Sequence, residues 1–347
     1  MLEISFELQQ DVHLGPLTTL DIGGPARFFV VAQSEKQIAE AFMFAKRESL
    51  DLFILGGGSN VLISDRGFDG LVLQIALKGV STSVEQDGVV SVTANAGEDW
   101  DGFVLYCVEN ELAGVECLSG IPGLVGGTPV QNVGAYGQEV SETIVSVRCF
   151  DRKANDVITL TNADCGFRYR TSVFNSTESD RYIVLSVTYA LRKGGEPKIV
   201  YKDLKEHFGE QRPSLGEVRD AVLKIRRSKS MVIDRDDPNS KSAGSFFKNP
   251  VVEKNKLKEI QTVRKNVPSF EFGDKVKIPA AWLIENAGFS KGSVFGNAGI
   301  SSNHTLALIN RGSASAEEII LLKNEIQKAV EAKFGITLQP EPVFVGF

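Results

Sequence analysis

Residues 119–138 constrain this chain most, because the segment is dense in glycine and carries no charge. It contains six glycines, two prolines and no Asp, Glu, Lys or Arg. Glycine lets main chain approach a ligand closely, and consecutive exposed N–H groups form concave anion sites. A short run of this kind would more often be a tight, buried connection between strands. Because an ordinary surface loop of this length carries charge, we interpret the segment as a cofactor loop, with Gln131, Asn132 and Tyr136 suited to a ring edge.

A second glycine-rich segment, GGGSN at residues 56–60, directly follows a predicted strand at residues 52–55. It is not a P-loop, because no Gly-Lys-Ser/Thr follows, and it is not G-x-G-x-x-G, because Val61 stands where the last glycine would be. Alone, three glycines would more often form a turn. Together, the two segments predict a dinucleotide held by two loops.

Composition excludes several classes of function. The 347 residues carry a formal net charge of −6 and no basic run, which argues against nucleic-acid binding. No apolar run approaches the roughly 20 residues that a bilayer requires, and the first residues do not resemble a secretion signal. The four cysteines lack C-x-x-C spacing and the three histidines are far apart in sequence. We therefore expect a cytoplasmic protein with reduced thiols, no metal site and about two to three domains.

Strand and helix patterns mix without a strict βαβ rhythm over the first 190 residues. This predicts an α+β fold rather than a doubly wound sheet. Residues 144–160 predict a β-hairpin, and residues 304–310 predict a strand. The clearest helix is predicted at residues 315–334, because apolar residues recur there at helical spacing and Gly335 follows.

Several polar residues could do chemistry, although each has a plainer interpretation. Arg170 lies among two aromatics, where an aromatic–arginine stack is the favoured explanation. Ser245 could be a turn or cap hydroxyl, since no G-x-S-x-G surrounds it. Arg226 and Lys229 stand at the end of a predicted helix, where the helix dipole favours cations as readily as an anionic substrate would. Glu341 would usually be a solvated charge.

Taken together, six motifs occur in one order along the chain. They are the two glycine-rich segments, Arg-Tyr-Arg at 168–170, Ala-Gly-Ser-Phe-Phe-Lys-Asn-Pro at 243–250, Pro-Ala-Ala-Trp-Leu-Ile-Glu at 279–285, and Pro-Glu in the tail. In this order they resemble the UDP-N-acetylenolpyruvoylglucosamine reductase family, flavoenzymes of peptidoglycan precursor synthesis. The resemblance covers nearly the whole chain.

The resemblance implies an α+β architecture in two parts. Residues 1–218 would form the FAD-binding half, which contains a two-lobed PCMH/VAO-type module at about residues 24–194. Residues 219–335 would form a separate α+β substrate-binding domain, and residues 336–347 a tail that returns to the active site.

The implied cofactor is noncovalent FAD, with NADPH as co-substrate. The residues implied to hold FAD are Gly56, Gly57, Gly58, Ser59, Asn60, Ile121, Pro122, Gly126, Gly127, Gln131, Asn132, Gly134, Ala135 and Tyr136. The small-molecule partner would be a UDP-sugar, and we expect a monomer.

The implied reaction reduces the enolpyruvyl ether of UDP-N-acetylglucosamine to UDP-N-acetylmuramate. NADPH would reduce the flavin, and hydride would then pass to C3 of the enol ether. Ser245 would protonate C2, while Arg170 and Glu341 would polarise the substrate carboxylate, with Glu341 protonated or sharing a proton.

The residues implied to contact the substrate are Tyr169, Tyr201, Arg226, Lys229, Asn249 and His304. Tyr201 resembles the mobile tyrosine that closes over substrate in one subtype of the family. Two positions depart from the expected pattern: Val343 stands where arginine is expected, and His304 stands near an expected glutamine. Two other functions stay open, an FAD-dependent sugar or alcohol oxidase on the same module and a nonenzymatic nucleotide-binding module.

Overall fold

Residue contacts divide the chain into two compact units. The structure is a computed structural model, and it describes residues 5–84 and 86–347. Unit 1 comprises Met1–Val12, Ala26–Gly58 and Asp69–Val232, and unit 2 comprises His13–Pro25, Ser59–Phe68 and Ile233–Phe347. None of the helices in the described part of the chain combines the length and the apolar character that a membrane crossing requires.

Helices and strands alternate irregularly along the chain. The helices are α1 Glu35–Arg47, α2 Trp100–Glu109, α3 Lys202–Phe208, α4 Leu215–Ser228, α5 Lys254–Val263, α6 Ala280–Asn286 and α7 Ala316–Phe334. The strands are β1 Gln9–His13, β2 Pro25–Ala32, β3 Asp51–Leu55, β4 Val61–Ile63, β5 Phe68–Ile75, β6 Val80–Val84, β7 Val89–Asn95, β8 Leu112–Ala113, β9 Gly134–Ala135, β10 Gln138–Glu139, β11 Ile144–Asp151, β12 Asp156–Thr161, β13 Tyr182–Lys193, β14 Val251–Val252, β15 Phe270–Phe272, β16 Lys275–Lys277, β17 Val294–Phe295, β18 Ala298–Ile300, β19 Leu308–Asn310 and β20 Val343–Val345.

Two larger sheets form the framework of unit 1. One has the strand order β1-β2-β5-β3, with β3 and β5 parallel. The other has the order β12-β11-β13-β7-β6, all antiparallel, and β8 pairs with the end of β13. Parallel and antiparallel pairing with interspersed helices confirms the predicted α+β class.

Local sequence signals explain several elements of unit 1. Ser34 caps α1, since its hydroxyl oxygen accepts a hydrogen bond from the Gln37 N–H at 3.3 Å. The apolar stripe of α1 faces inward, with Ile38 fully buried. The predicted hairpin is confirmed as β11–β12, which closes at the pair Asp151 and Asp156.

Unit 2 builds one core from three separate parts of the chain. Leu20 and Ile22 come from the first part, Leu62 from the second, and the inward faces of α6 and α7 from the third. Small sheets with the orders β14-β16-β15 and β17-β18-β19 border this core, and β20 pairs in parallel with β4. Helix α7 confirms its prediction: Ser315 and Glu318 form a capping box, and Gly335 ends it with φ of 60°.

Two glycines allow the backbone of unit 2 to pack closely where these parts meet. A Cβ on Gly67 would lie 1.8 Å from the Pro25 carbonyl oxygen, and the φ of Gly67 is +81°. A Cβ on Gly346 would lie 2.0 Å from the Gly67 carbonyl oxygen. No larger residue fits at either position without moving main chain, so these glycines hold the end of the tail beside the segment that contains β4.

The structure differs from the sequence-based expectation for one strand. The strand predicted at residues 304–310 is confirmed only for β19, because the chain turns before it, where the Ala307 N–H donates to the His304 carbonyl oxygen at 3.1 Å. The compact units have limits of their own, and the expected domain limits at 218/219 and 335/336 stay a prediction. Residues 13–25 and 59–68 group with unit 2, because their apolar side chains complete its core.

Candidate functional site

The two glycine-rich segments meet within unit 1. A Cβ on Gly57 would lie 2.8 Å from the Gly123 Cα and 3.3 Å from the Leu124 nitrogen. The main chain of the first segment therefore packs directly against the main chain of the second segment. Only glycine permits this contact at position 57. Gly126 makes a similar approach to Ala96, whose Cβ would lie 2.6 Å from a Cβ at position 126. Residues far apart in sequence thus form one glycine-lined surface.

The chain before this surface is fixed by bonds from α2 and α4. The Gly120 N–H donates to Asp101 Oδ1 at 2.6 Å, and Trp100 Nε1 donates to the Leu118 carbonyl oxygen at 3.1 Å. Arg219 donates two hydrogen bonds, of 2.6 and 2.7 Å, to the Asp101 carboxylate. Burial is the largest single influence on Asp101 and opposes its ionisation, but the hydrogen bonds from Arg219 and the Gly120 N–H, together with the nearby positive charges, outweigh it, so the pKa of Asp101 lies below its ordinary value. This ion pair between buried Arg219 and half-buried Asp101 holds the first turn of the segment in place.

Asn132 shapes the segment from inside. Its side chain is buried, and its Nδ2 donates to Glu139 Oε2 at 2.8 Å and to the Arg168 carbonyl oxygen at 3.1 Å. Its Oδ1 accepts from the Ser141 N–H at 3.1 Å. The amide expected to face a ring edge is thus engaged with protein groups, and it fixes Asn132 in a left-handed conformation with φ of 46°.

Glu116 and Gln138 support the end of the same segment. Glu116 is fully buried, and its carboxylate accepts from Gln138 Nε2 at 2.7 Å and from the Gly114 N–H at 2.8 Å. Gln138 Oε1 in turn accepts from the Cys117 N–H at 2.8 Å. Because Gln138 pairs with Ala135 across β10 and β9, this network sets the turn that carries Tyr136.

Arg170 is held against this surface by carbonyl groups. Its Nη2 donates to the Gly134 carbonyl oxygen at 2.7 Å, and its guanidinium stands 5.4 Å from the ring centre of Tyr169. The stack that the sequence favoured is therefore present, and Arg170 also contacts the second glycine-rich segment. Its φ of 54° is uncommon for arginine, which indicates that the surroundings determine this backbone conformation.

Tyr136 and Tyr201 form an aromatic pair beside Lys229. Their ring centres are 5.3 Å apart in an edge-to-face arrangement, and Lys229 Nζ lies 6.0 Å from the Tyr136 ring centre. Lys229 Nζ donates to Asp203 Oδ2 at 3.0 Å. Burial is the largest single influence on Lys229 and disfavours its charged form, but the bond to Asp203 and the electrostatic influence of Asp203, Tyr136 and Tyr201 together outweigh it, so the pKa of Lys229 lies above its ordinary value. The lysine is therefore charged and stands beside the exposed Tyr201.

Arg226 lies deeper in unit 1 than Lys229. It is 8% exposed, and its Nη2 donates to the Met231 carbonyl oxygen at 2.6 Å. Burial lowers the pKa of the Arg226 guanidinium, against the raising influence of Tyr136 and Asp101. This position, in the last turn of α4, fits the structural interpretation of Arg226 as a cation that stabilises the helix end.

Ser245 and Glu341 come together within unit 2. The Glu341 N–H donates to the carbonyl oxygen of Phe246, the residue after Ser245, at 2.9 Å. Phe247 bridges to Pro340, and the Lys248 N–H donates to the Gln339 carbonyl oxygen at 2.9 Å. The tail therefore runs antiparallel to residues 246–248, and the two residues predicted to act on the substrate lie on adjacent segments.

The remaining substrate-binding candidates have local structural partners. Asn249 Oδ1 accepts from the Ala280 N–H at 2.8 Å, at the start of α6. His304 lies in the turn before β19. Val343, the position of the expected arginine, is 50% exposed. Among the described residues, no group of His, Cys, Asp or Glu side chains could hold a metal ion.

Sequence reasoning missed the residues that hold the site in place. Asp101, Arg219, Glu116 and Asp203 each contact the predicted site from a distant part of the chain or through main-chain bonds. Acidic and basic residues on helices are common, so nothing in the sequence distinguished these four. The one weak local signal concerns Asp101, which lies in the first turn of α2, close to Asp99, the residue that caps this helix.

The comparisons with known proteins agree with this arrangement. A family model described as "UDP-N-acetylenolpyruvoylglucosamine reductase, C-terminal domain" matches residues 236–345, and one described as "FAD binding domain" matches residues 26–160. The UDP-N-acetylenolpyruvoylglucosamine reductase of Thermobifida fusca is 44% identical over 97% of this chain and 98% of its own length. The enzyme of the same name from Saccharopolyspora erythraea is 45% identical over 96% of this chain and 94% of its own length.

A solved structure supports the fold. The UDP-N-acetylenolpyruvylglucosamine reductase of Thermus caldophilus matches with a TM-score of 0.67 at 23% identity, covering 98% of this chain and 99% of its own. The two curated relatives, each above 40% identity over nearly the whole chain, establish the family. The chain is therefore a member of the UDP-N-acetylenolpyruvoylglucosamine reductase family of flavin oxidoreductases.

Proposed function

We propose that this chain uses NADPH to reduce enolpyruvyl-UDP-N-acetylglucosamine to UDP-N-acetylmuramate for peptidoglycan precursor synthesis, as a cytoplasmic monomer with noncovalent FAD. The observation that carries the assignment is the bond from the Glu341 N–H to the Phe246 carbonyl oxygen. It places the Glu341 main chain beside the segment that follows Ser245, and a reductase of this class needs a proton donor for the carbon next to the one that receives hydride. An oxidase acting on an alcohol would leave both residues without a role.

The glycine-lined surface of unit 1 fits a flavin dinucleotide. Where a Cβ would stand on Gly56 or Gly127, no described atom beyond the adjacent residues lies within 4 Å. Main chain is thus open to a ligand at both loops, and neutral loops can meet two phosphates through N–H groups without a lysine. Residues 56–60, through their main-chain N–H groups alone, and residues 121–136 would hold the cofactor, which, when bound, relays hydride from NADPH to the substrate alkene.

Ser245 and Glu341 would complete the reduction. Ser245 would hand its hydroxyl proton to C2 of the enolpyruvyl group, while Glu341 and Arg170 would stabilise charge that develops on the adjoining carboxylate. A positioned acid is worth roughly 10²–10⁴-fold in rate, and preorganised charge contributes comparably. Because a serine hydroxyl is a weak acid in water, its neighbours must stabilise the charge that its departing proton leaves.

Lys229 and Tyr201 would bind the diphosphate of the sugar nucleotide. Lys229 is charged and about one third exposed, with a side-chain accessibility of 38%, and its present partner Asp203 is similarly accessible at 36%. An exposed ion pair of this kind is weak, so a diphosphate can replace the carboxylate. Asn249, Tyr169 and His304 would supply further contacts, and buried Arg226 would act mainly by supporting Lys229 from α4.

The experiment that tests the function separates the two half-reactions. In Ser245→Ala, flavin bleaching by NADPH in stopped flow should persist, while reoxidation by the enolpyruvyl substrate should slow about 10²–10⁴-fold. Ser313→Ala, which changes an exposed serine of the same unit, should leave both rates unchanged. Equal slowing of both half-reactions would assign Ser245 another role. Rapid reoxidation by oxygen together with indifference to NADPH would favour an oxidase instead.

A further inference from the structure

The tail of unit 2 is bonded on both sides of Glu341. On one side, residues 339–341 bond to residues 246–248, and the Glu341 N–H donates to the Phe246 carbonyl oxygen at 2.9 Å. On the other side, β20 runs parallel to β4, with Val343 opposite Val61. Glu341 lies at the point where the tail passes from one set of bonds to the other.

Asn60 makes two hydrogen bonds close to this point. The Val343 N–H donates to the Asn60 main-chain carbonyl oxygen at 3.0 Å. The side-chain Nδ2 of Asn60 donates to the Glu341 main-chain carbonyl oxygen at 3.2 Å. One residue therefore bonds to the tail from both its main chain and its side chain, on the two sides of Pro342.

Pro342 explains why a side chain is needed here. Proline has no N–H, so the tail cannot donate a main-chain bond between Glu341 and Val343. The bonds of the β20–β4 ladder continue from Val343 towards the chain end, where the Ser64 N–H donates to the Val345 carbonyl oxygen at 2.9 Å. The hydrogen bond from the Asn60 side-chain amide continues the contact between the two segments to Glu341, on the other side of Pro342, and fixes the Glu341 peptide group.

We propose that Asn60 is a positioning residue for Glu341. The proposal rests on the proposed function, in which Glu341 stabilises charge on the substrate carboxylate. With its N–H bound to Phe246 and its C=O bound to Asn60, the Glu341 backbone has one orientation, and its carboxyl group leaves the chain in a fixed direction relative to Ser245. The side chain of Asn60, expected from the sequence to serve the cofactor, thus serves the acid.

The test is Asn60→Ala, measured in each half-reaction. Reduction of the flavin by NADPH and the bound FAD content should stay within about twofold of the wild type, while reoxidation by the enolpyruvyl substrate should slow about tenfold, because small misplacements of a catalytic group reduce rate steeply. The solvent isotope effect on reoxidation should rise, since proton transfer becomes slower. Asn60→Leu, which keeps the heavy-atom branching and neutrality of the asparagine side chain but cannot donate a hydrogen bond, should behave alike.

A matched control loosens the same tail at another residue. Gln327 Nε2 donates to the Leu338 carbonyl oxygen at 2.7 Å, so Gln327→Ala also removes one amide-to-carbonyl bond. Its reoxidation rate should stay near the wild-type value, because the hydrogen bonds that hold the Glu341 N–H to Phe246 and the Glu341 carbonyl oxygen to Asn60 both remain. If reoxidation slowed equally in Gln327→Ala and Asn60→Ala, the proposal would be refuted, and both residues would only anchor the tail in general.

Hydrogen–deuterium exchange gives a readout that does not depend on the reaction. In Asn60→Ala, a peptide covering residues 339–345 should exchange faster than in the wild type, while peptides of unit 1 should not change. Unchanged exchange, loss of FAD, or proportional slowing of both half-reactions would each overturn the role of Asn60. A wild-type protein that never reoxidises with the enolpyruvyl substrate would instead refute the proposed function, and the exchange result would still decide whether Asn60 fixes Glu341.

Discussion

Asp151 shows how a single ionisable residue can tie strand ends together. Its side chain is 2% exposed at the end of β11. Arg181 donates to it from Nη2 at 2.7 Å and from Nε at 3.0 Å, and the Lys153 N–H donates at 2.9 Å. The bonds from Arg181 lower the pKa of Asp151 to about 2. Since these bonds favour the ionised carboxylate, protonation removes what holds the β11–β12 turn to the start of β13.

We expect Asp151 to make folding stability sensitive to acid. Its pKa in the unfolded chain is about 3.9, above the folded value of about 2. Its contribution is therefore complete above this range and is lost as pH falls from about 4 to about 2. Asp151→Asn should reduce the free energy of unfolding at pH 7 by about 2 kcal/mol, measured by urea denaturation. The difference from wild type should shrink near pH 3.

The control for this prediction is an exposed carboxylate. Asp69 forms an ion pair with Arg27, and 86% of the Asp69 side chain is accessible to solvent. Asp69→Asn should therefore change the urea midpoint little at either pH. If the Asp151→Asn difference stayed constant between the two pH values, the carboxylate would not titrate with the low pKa assigned to it.

Among the structural elements, the two glycine-rich loops restrict most strongly which residues can stand at their positions. Gly57 packs on Gly123, and a Cβ there would approach the Gly123 Cα to 2.8 Å. Gly57→Ala should therefore separate the loops and reduce FAD content several-fold, as measured by flavin absorbance per protein. The cause is steric, since the atoms that would clash are main chain and cannot rotate away.

Gly216→Ala is the matched control for the loop variant. Gly216 lies in α4 of the same unit, and a Cβ there would meet nothing nearer than Ser214 Oγ at 3.9 Å. Alanine stabilises helices relative to glycine by roughly 0.5–1 kcal/mol, so FAD content should be retained. Full FAD content in Gly57→Ala would show that the contact between the loops does not support the cofactor.

Elements with local signals were predictable, whereas contacts made across the sequence were not. Helix α7 carries its capping box and its terminal glycine in the sequence, and the β11–β12 hairpin carries its turn. The strand expected at residues 304–310 was too long. The apolar residues before β19 are buried as strand residues would be, but they lie in a turn. An apolar run indicates burial, and only hydrogen-bond partners decide whether it becomes a strand.

The same distinction applies to the candidate site. Ser245 and Glu341 were found through motifs, but the bond that joins their segments connects distant parts of the chain. Asn60 was placed with the cofactor because it follows three glycines, and its bond to the Glu341 carbonyl oxygen has no signature in sequence. Motifs thus predict which residues do the chemistry, while the residues proposed to orient them could be named only from the structure.

At the scale of the molecule, the two units are not successive pieces of chain. The chain passes from one unit to the other between residues 12 and 13, 25 and 26, 58 and 59, 68 and 69, and 232 and 233. Unit 2 therefore depends on two short segments that precede most of unit 1 in the sequence. These segments supply Leu20 and Leu62 to its core and β4 as the partner of β20.

This connectivity predicts that the C-terminal part of the chain does not fold alone, although a family model covers residues 236–345 as one domain. A fragment of residues 233–347 lacks Leu20, Ile22 and Leu62, which are each at most 3% exposed. Each lost side chain removes roughly 1.5–3 kcal/mol of burial, which together is comparable with the 5–15 kcal/mol stability of a typical domain. The fragment would also leave β20 and the Glu341 peptide group without β4 and Asn60. We expect poorly dispersed amide resonances and no cooperative urea transition in the fragment, whereas a cooperative transition would show that residues 13–25 and 59–68 are dispensable for unit 2.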